Sequence, residues 1–368
     1  MVPTAAFVKE DEDGQYRDLL DSAIADTLKQ AIRVLTHDPQ LALTGIRILR
    51  YQKKAAAIRR KEAGNGLLVP PSMFVSITSR CNLTCRGCYM RGLQTSSFHE
   101  MDPARLRSLV EEAFALGVSV IVLAGGEPLM RKEEIMGITR DFPRILFPVF
   151  TNGLLIDDKT ARELSATKNV VPVISVEGFQ QETDSRRGAG VYDRILSAFA
   201  LMKNSGIFFG CSVTVTRENV DCAVSDRFVQ EMIAAGARAF VYVEYVPVDP
   251  ATEDLVLGKE QQREMGERIS ALNAMYPAIF IGFPGDEKTF GGCLAAGRGF
   301  VHIAPAGDLE ACPAAPFSDK NLARLSLRDA LSSPLLLKIR SNHHLLIETS
   351  GGCALWRNRE WVRTLNES

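Results

Sequence analysis

The sequence predicts an α/β protein: a partial, open (β/α)6 barrel of the TIM type, with a helical segment before it and a small cysteine-bearing region after it. Three observations carry this. From Met73 to Val248, short β-branched runs alternate with amphipathic stretches, as in repeated βα units around a parallel sheet. Six units can be counted, two fewer than the eight of a closed barrel. Beyond Pro250 the alternation fades into a polar helix and then a glycine-rich tail.

Taken in order, Leu20, Ile24, Leu28, Ala31 and Leu35 recur at helical spacing, and Asp38-Pro39 reads as the start of a second helix running toward Arg60, closed by Gly64 and Gly66. That helix is basic, with Arg47, Arg50, Lys53, Lys54, Arg59, Arg60 and Lys61. It reads as a solvated face, or as a contact for an anionic membrane surface or partner. The strands are expected at Phe74 to Thr78, Ser119 to Ala124, Ile145 to Thr151, Val170 to Val176, Phe209 to Thr216 and Phe240 to Val246. Helices are expected between them, one opened by Asp102-Pro103 and ended by Gly117, another from Val191 to Asn204. A polar helix near Lys259 to Met275 follows, then a hairpin from Gly299 to Cys312 turning at Pro305 to Asp308. The expected division is residues 1–70, a helical extension; 71–255, the barrel; and 256–368, the cysteine-bearing region.

Composition excludes several functions. The 368 residues are 46% apolar and 24% charged, with 43 basic and 44 acidic side chains, which leaves no overall positive field for phosphates. Nucleic acid is therefore not an expected partner. No run approaches the roughly 20 apolar residues of a membrane span. The acidic start, Glu10 to Asp13, lacks a signal-peptide core, so a cytoplasmic location is expected, with peripheral membrane contact through the basic helix as the further option. Eight cysteines are too few for a disulfide scaffold at this length, and clustered thiols in a reducing cytosol point to metal.

Cys81, Cys85 and Cys88 stand on the loop leaving the first strand, where parallel barrels place their chemistry. Three thiolates can hold three irons of a four-iron cluster and leave one iron open. With His99 they also form a C-x3-C-x2-C-x10-H set that could hold zinc. The C-x3-C-x2-C spacing resembles the signature of the radical S-adenosylmethionine (radical SAM) enzymes. The resemblance implies a partial barrel and a [4Fe-4S] cluster whose open iron chelates S-adenosylmethionine (AdoMet). It also implies reductive cleavage to methionine and a 5′-deoxyadenosyl radical that takes a hydrogen atom from the substrate. The family often has an aromatic residue before the last cysteine, packed near adenine; here it is Gly87, with Tyr89 after the cysteine.

A second pattern, Gly125-Gly126-Glu127-Pro128, follows the second strand. The glycines remove Cβ bulk where backbone must approach a ligand, and Glu127 offers a carboxylate to an ammonium. It matches the family's GGEP motif, which binds the AdoMet amino group. Ser175 and Glu177 fall on one face of the fourth strand, suited to ribose hydroxyls, and resemble the family's ribose motif. Asn152, at the third strand's exit, resembles a family feature near the methionine end of AdoMet. Arg187 is a partner for the AdoMet carboxylate or for a surface carboxylate.

In the tail, Cys293 and Cys312 flank a C-x13-G-x4-C spacing, with Gly307 at its turn, and Gly351-Gly352 precedes Cys353. This resembles the auxiliary-cluster extensions called SPASM and twitch domains, though the full SPASM pattern has more cysteines. It implies one auxiliary [4Fe-4S] cluster on Cys293, Cys312 and Cys353, with a fourth ligand among His302, His343, His344, a substrate group or nothing. Cys211 reads as a core residue, and Trp356 and Trp361 as packing anchors. The expected protein is thus a radical SAM oxidoreductase or maturase. Its substrate would be a small molecule, a lipid-associated compound or a peptide, and its electron donor one such as flavodoxin or ferredoxin. The alternative is a zinc-binding or iron-sulfur interaction or maturation protein without small-molecule turnover.

Overall fold

The computed structural model describes residues 10–34, 39–93, 99–283, 289–346 and 353–367. Leu35, Asp38, Gly351 and Gly352 lie outside them. Two helices come first, α1 (Glu10–Val34) and α2 (Pro39–Gly64), packed together. Tyr51 of α2 stacks on Phe114 with centroids 4.8 Å apart and donates to the Phe114 carbonyl at 2.8 Å, which docks the helical pair onto the barrel. The basic face of α2 is not uniformly solvated. Arg59 is buried, ion-paired with Asp21 of α1 and donating to the Gly117 carbonyl, whereas Lys53 and Lys54 are exposed.

The six expected strands form within about two residues of their expected bounds: β1 (Ser72–Thr78), β2 (Val120–Gly125), β3 (Phe147–Thr151), β4 (Val170–Ser175), β5 (Gly210–Val215) and β6 (Ala239–Glu244). Three more follow: β7 (Ile279–Phe283), β8 (Phe300–Ile303) and β9 (Leu309–Glu310). They make one sheet in the order β7-β6-β5-β4-β3-β2-β1-β8-β9, parallel except for the β8–β9 pair. The expected hairpin is present, with His302 opposite Glu310, yet β8 also runs parallel to β1, with Phe74 opposite His302. The tail therefore covers what would otherwise be an unpaired edge of β1. β7 escaped the sequence reading because Gly282 interrupts its run and a polar helix, Lys259–Met275, breaks the rhythm before it.

Residues Met73, Val75 and Ile77 of β1 join the core beneath the helices, so strand alternation turns Phe74, Ser76 and Thr78 to the opposite face, the barrel lumen. Sheet twist curls the ends toward each other. Phe283 of β7 lies 5.7 Å from Phe300 of β8 and 6.2 Å from Phe74, centroid to centroid. Aromatic contact thus spans the gap where the ladder stops. The expected helix signals hold: Asp102 accepts from the Ala104 amide at 2.8 Å. Gly117, at φ 88°, leaves room where a Cβ would sit 2.7 Å from the Ala55 carbonyl. Cys211 is fully buried in β5, and Trp356 and Trp361 pack on the core.

Candidate functional site

The strands' C-terminal ends form one rim, and the loop carrying Cys81, Cys85 and Cys88 crosses it. Cys81 is exposed and the other two half-buried. The loop is anchored through β2. The amides of Gly126 and Glu127 donate to the carbonyls of Thr78 and Arg80, both at 2.8 Å. A Cβ on Gly125 would stand 2.4 Å from the Thr78 carbonyl oxygen, and one on Gly126 would stand 2.1 Å from that of Arg80. The glycine pair thus admits the cysteine loop's own backbone, rather than only a ligand. Burial pushes the Cys81 thiol up, and the charges of Glu127, Cys85 and Cys88 push the same way. Coordinated iron would offset the repulsion of thiolates held on one loop.

Among the described residues, no three His, Cys, Asp or Glu side chains are gathered tightly enough to grip one ion. A four-iron cluster asks less, because each cysteine ligates its own iron. The donor set at this rim fits the cluster.

Two of the expected pocket residues reach the cysteines. Asn152 Nδ2 is 4.0 Å from Cys81 Sγ and donates to Asn82 Oδ1 at 2.7 Å; Arg187 Nη1 is 4.0 Å from Cys85 Sγ. Glu127 is fully buried and accepts from Thr151 Oγ1 at 2.6 Å, the Asn152 amide at 2.8 Å and the Leu129 amide at 3.0 Å. Burial raises its pKa despite these donors. Its carboxylate ties the β2 and β3 exits together. Ser175 is half-buried at the end of β4, in register with Ser212. Glu177, just beyond, is gripped by Arg186 and Arg187 and accepts from the Thr214 amide at 3.0 Å. Burial pushes the Glu177 carboxyl up, but the two guanidiniums outweigh it and hold the group below its ordinary value. Arg187 is thus an internal partner of Glu177, not a surface cation.

Beside this pair lies a cavity of about 250 Å³ lined by Arg86, Glu177, Glu182, Arg186, Glu218 and Asn219, among others. Arg186 Nε and Glu182 Oε2 are both buried without a hydrogen-bond partner among the described residues. Arg186 was not singled out by sequence, although its place beside Arg187 could have flagged it.

The second cysteine set is brought together by the fold. Hydrogen bonding to Cys353 and burial, with the charges of Cys353 and Cys293 added, push the Cys312 thiol up; the same Cys312 contact favours the thiolate on Cys353. Cys293 and Cys312 are buried and Cys353 half-buried. His302 is not free to act as a fourth ligand. Its Nδ1 meets Glu310 Oε2 at 2.6 Å and its Nε2 meets Ser76 Oγ at 2.8 Å, with all three residues buried. This lumen-wall triad joins β1, β8 and β9, and no sequence spacing could reveal it.

A profile of the Radical SAM superfamily matches residues 75–225. Mycofactocin maturase MftC of Mycolicibacterium smegmatis is 30% identical over 287 residues, 72% of this chain and 69% of that protein. The chain belongs to the radical SAM superfamily. A further relative is the AdoMet-dependent heme synthase of Methanosarcina barkeri, 26% identical over 78% of this chain and 91% of its own length. Among solved structures, Streptococcus suis SuiB bound to S-adenosylmethionine superposes with a TM-score of 0.64 at 20% identity, covering 80% of this chain and 72% of that one. The anSMEcpe structure with bound AdoMet gives 0.58 at 18% identity, covering 76% and 84%. These two share the fold. This chain is accordingly an enzyme that uses a [4Fe-4S] cluster and AdoMet for radical chemistry. Among its described residues, no helix is long and apolar enough to cross a membrane.

Proposed function

We propose that Cys81, Cys85 and Cys88 hold the AdoMet-cleaving [4Fe-4S] cluster, and that AdoMet lies against Gly125, Gly126, Asn152, Ser175, Glu177 and Arg187. The observation that carries this is the convergence of Asn152 and Arg187 on two of the three thiols, beside a cavity with orphaned polar atoms. When bound, the cluster and AdoMet supply a 5′-deoxyadenosyl radical that takes a hydrogen atom from the substrate. The chain's own residues do the rest. Glu127 acts indirectly, by fixing the Asn152 amide and the loop that carries Gly126. Glu177 and Arg187 orient polar groups of AdoMet, and the curled sheet keeps water from the lumen. His302, held between Glu310 and Ser76, is a fixed part of the lumen wall.

The reading divides the chain into a helical extension at 1–70, a radical core at 71–255 and an auxiliary-cluster region at 256–368. Cys293, Cys312 and Cys353 hold the auxiliary cluster. The substrate is a peptide undergoing oxidation or rearrangement. The relatives that support this are a maturase by name and a SuiB structure bound to its precursor peptide SuiA. Reduced flavodoxin or ferredoxin supplies the electron, and the setting is cytoplasmic.

The test is anaerobic reconstitution. About eight irons per chain are expected, with 5′-deoxyadenosine formed under dithionite and a reduced-cluster paramagnetic signal that changes on adding AdoMet. About four irons would remove the auxiliary cluster, and a signal blind to AdoMet would remove the site assignment.

A further inference from the structure

The chain leaving β6 presses on the cysteine loop at two glycines. A Cβ on Gly87 would fall 2.5 Å from Tyr245 Oη and 3.0 Å from Cζ, and Gly87 has φ +65°. A Cβ on Gly92 would fall 2.6 Å from Val248 Cγ2, with an ordinary backbone at that position. Both contacts come from one short segment, and it is itself pinned. The Tyr245 amide donates to the Val215 carbonyl at 2.9 Å. Thr252 Oγ1 donates to the Asp249 carbonyl at 2.7 Å, so Tyr245 Oη is the donor in its 2.6 Å bond to Thr252. Tyr245 is 2% exposed, yet it packs with Leu255 and Val256 in a small cluster apart from the main core. Its ring is therefore not simply barrel filling. A third contact closes the clasp: Arg86 pairs with Glu218 at 3.1 Å and Asp254 at 3.8 Å, and its amide donates to the Arg186 carbonyl at 2.9 Å.

We propose that Tyr245 and Val248 are positioning residues for AdoMet cleavage, forming a strap from the far side of the barrel mouth that sets where Cys85 and Cys88 stand. Cys85 and Cys88 flank Gly87, and Gly92 ends the short helix Tyr89–Gly92 that follows. The strap explains Gly92, which local structure does not require; at Gly87 the backbone at φ +65° favours glycine as well. Helix propensity favours alanine at a position like Gly92, so propensity and strap make opposite statements about Gly92→Ala. Val248 is β-branched, hence stiff at χ1, and cannot easily swing aside. The inference rests on the assignment of the cluster to Cys81, Cys85 and Cys88.

The test uses the full chain, reconstituted anaerobically, with AdoMet and dithionite as probes. Iron and sulfide are counted, the reduced-cluster signal is recorded with and without AdoMet, and 5′-deoxyadenosine formation is timed. Gly92→Ala is expected to keep its iron but lose about tenfold or more in rate, with a weakened AdoMet-dependent change in the signal, since small misplacements of reacting groups cost at least that. Gly92→Ala with Val248→Ala is expected to recover both. Tyr245→Phe, which keeps the ring and loses its Thr252 anchor, falls between wild type and Tyr245→Ala. Wild-type behaviour of Gly92→Ala, or no recovery in the double variant, overturns the strap. A wild-type protein without AdoMet-responsive iron overturns the cluster assignment instead.

Discussion

The two cysteine sets are built in opposite ways. Cys81, Cys85 and Cys88 sit on one rim loop, with Cys81 exposed, and their spacing is a property of adjacent sequence. Cys293, Cys312 and Cys353 come from three separate segments, and Cys293 and Cys312 are buried. On the proposed assignment, a rim loop would open a corner to a small ligand, whereas the largely buried set would exchange electrons without admitting one. The rim loop in turn depends on contacts from β2 and the β6 exit to hold its shape, while the buried set is part of the tail's own packing.

The sharpest way to break this contrast is to remove one thiol from each set. Cys88→Ala should abolish 5′-deoxyadenosine formation, a larger effect than the roughly 10–100-fold typical of losing a ligand's outer partner. Cys312→Ala should remove about half the iron while leaving the AdoMet-dependent change in the remaining signal. Equal loss of that change in both variants would erase the distinction. Next in size is Gly126→Ala, whose Cβ would collide with the Arg80 carbonyl. It should reduce iron retention on the rim set alone, read as the fraction of AdoMet-responsive signal.

Glu177 sharpens the comparison from the ligand side. Breaking a buried ion pair costs about 3–5 kcal/mol, so Glu177→Gln should lower stability by that order in denaturant titration. The sign of its pH dependence follows from its depressed carboxyl pKa. The stabilisation is present above the ordinary value of 4.5 and is lost as pH falls below it, so wild type should lose stability in acid more steeply than the variant. Parallel acid profiles would show the pair to be idle. The smallest effect belongs to the exposed Arg60–Asp18 pair at 3.3 Å: Arg60→Ala should change stability by less than about 1 kcal/mol. Arg59→Ala, which removes a buried guanidinium from half-buried Asp21 and from the Gly117 carbonyl, should cost several times more.

Much of the barrel was legible because strand and helix periods and their caps are local. Asp102 and Gly117 bound their helix as read, and six strands fall where β-branched runs stand. β7 was not legible, because its glycine-interrupted run is stabilised only by pairing with β6. The Gly125-Gly126 pair was read for the ligand it could admit, while its nearest neighbours are the carbonyls of Thr78 and Arg80. Arg187 was read as open to a ligand or a surface acid, while Glu177 already holds it.

By itself, then, the sequence determined the βα order, the rim cysteines and the glycine-acid motif, since each depends on residues a few positions apart. Only the tertiary structure decided that β8 joins β1, that Ser76, His302 and Glu310 meet, that Cys293, Cys312 and Cys353 converge, and that Tyr245 lies on Gly87. Those contacts join residues far apart along the chain, and the buried area gained when the whole sheet curls, rather than any local preference, is what brings them together.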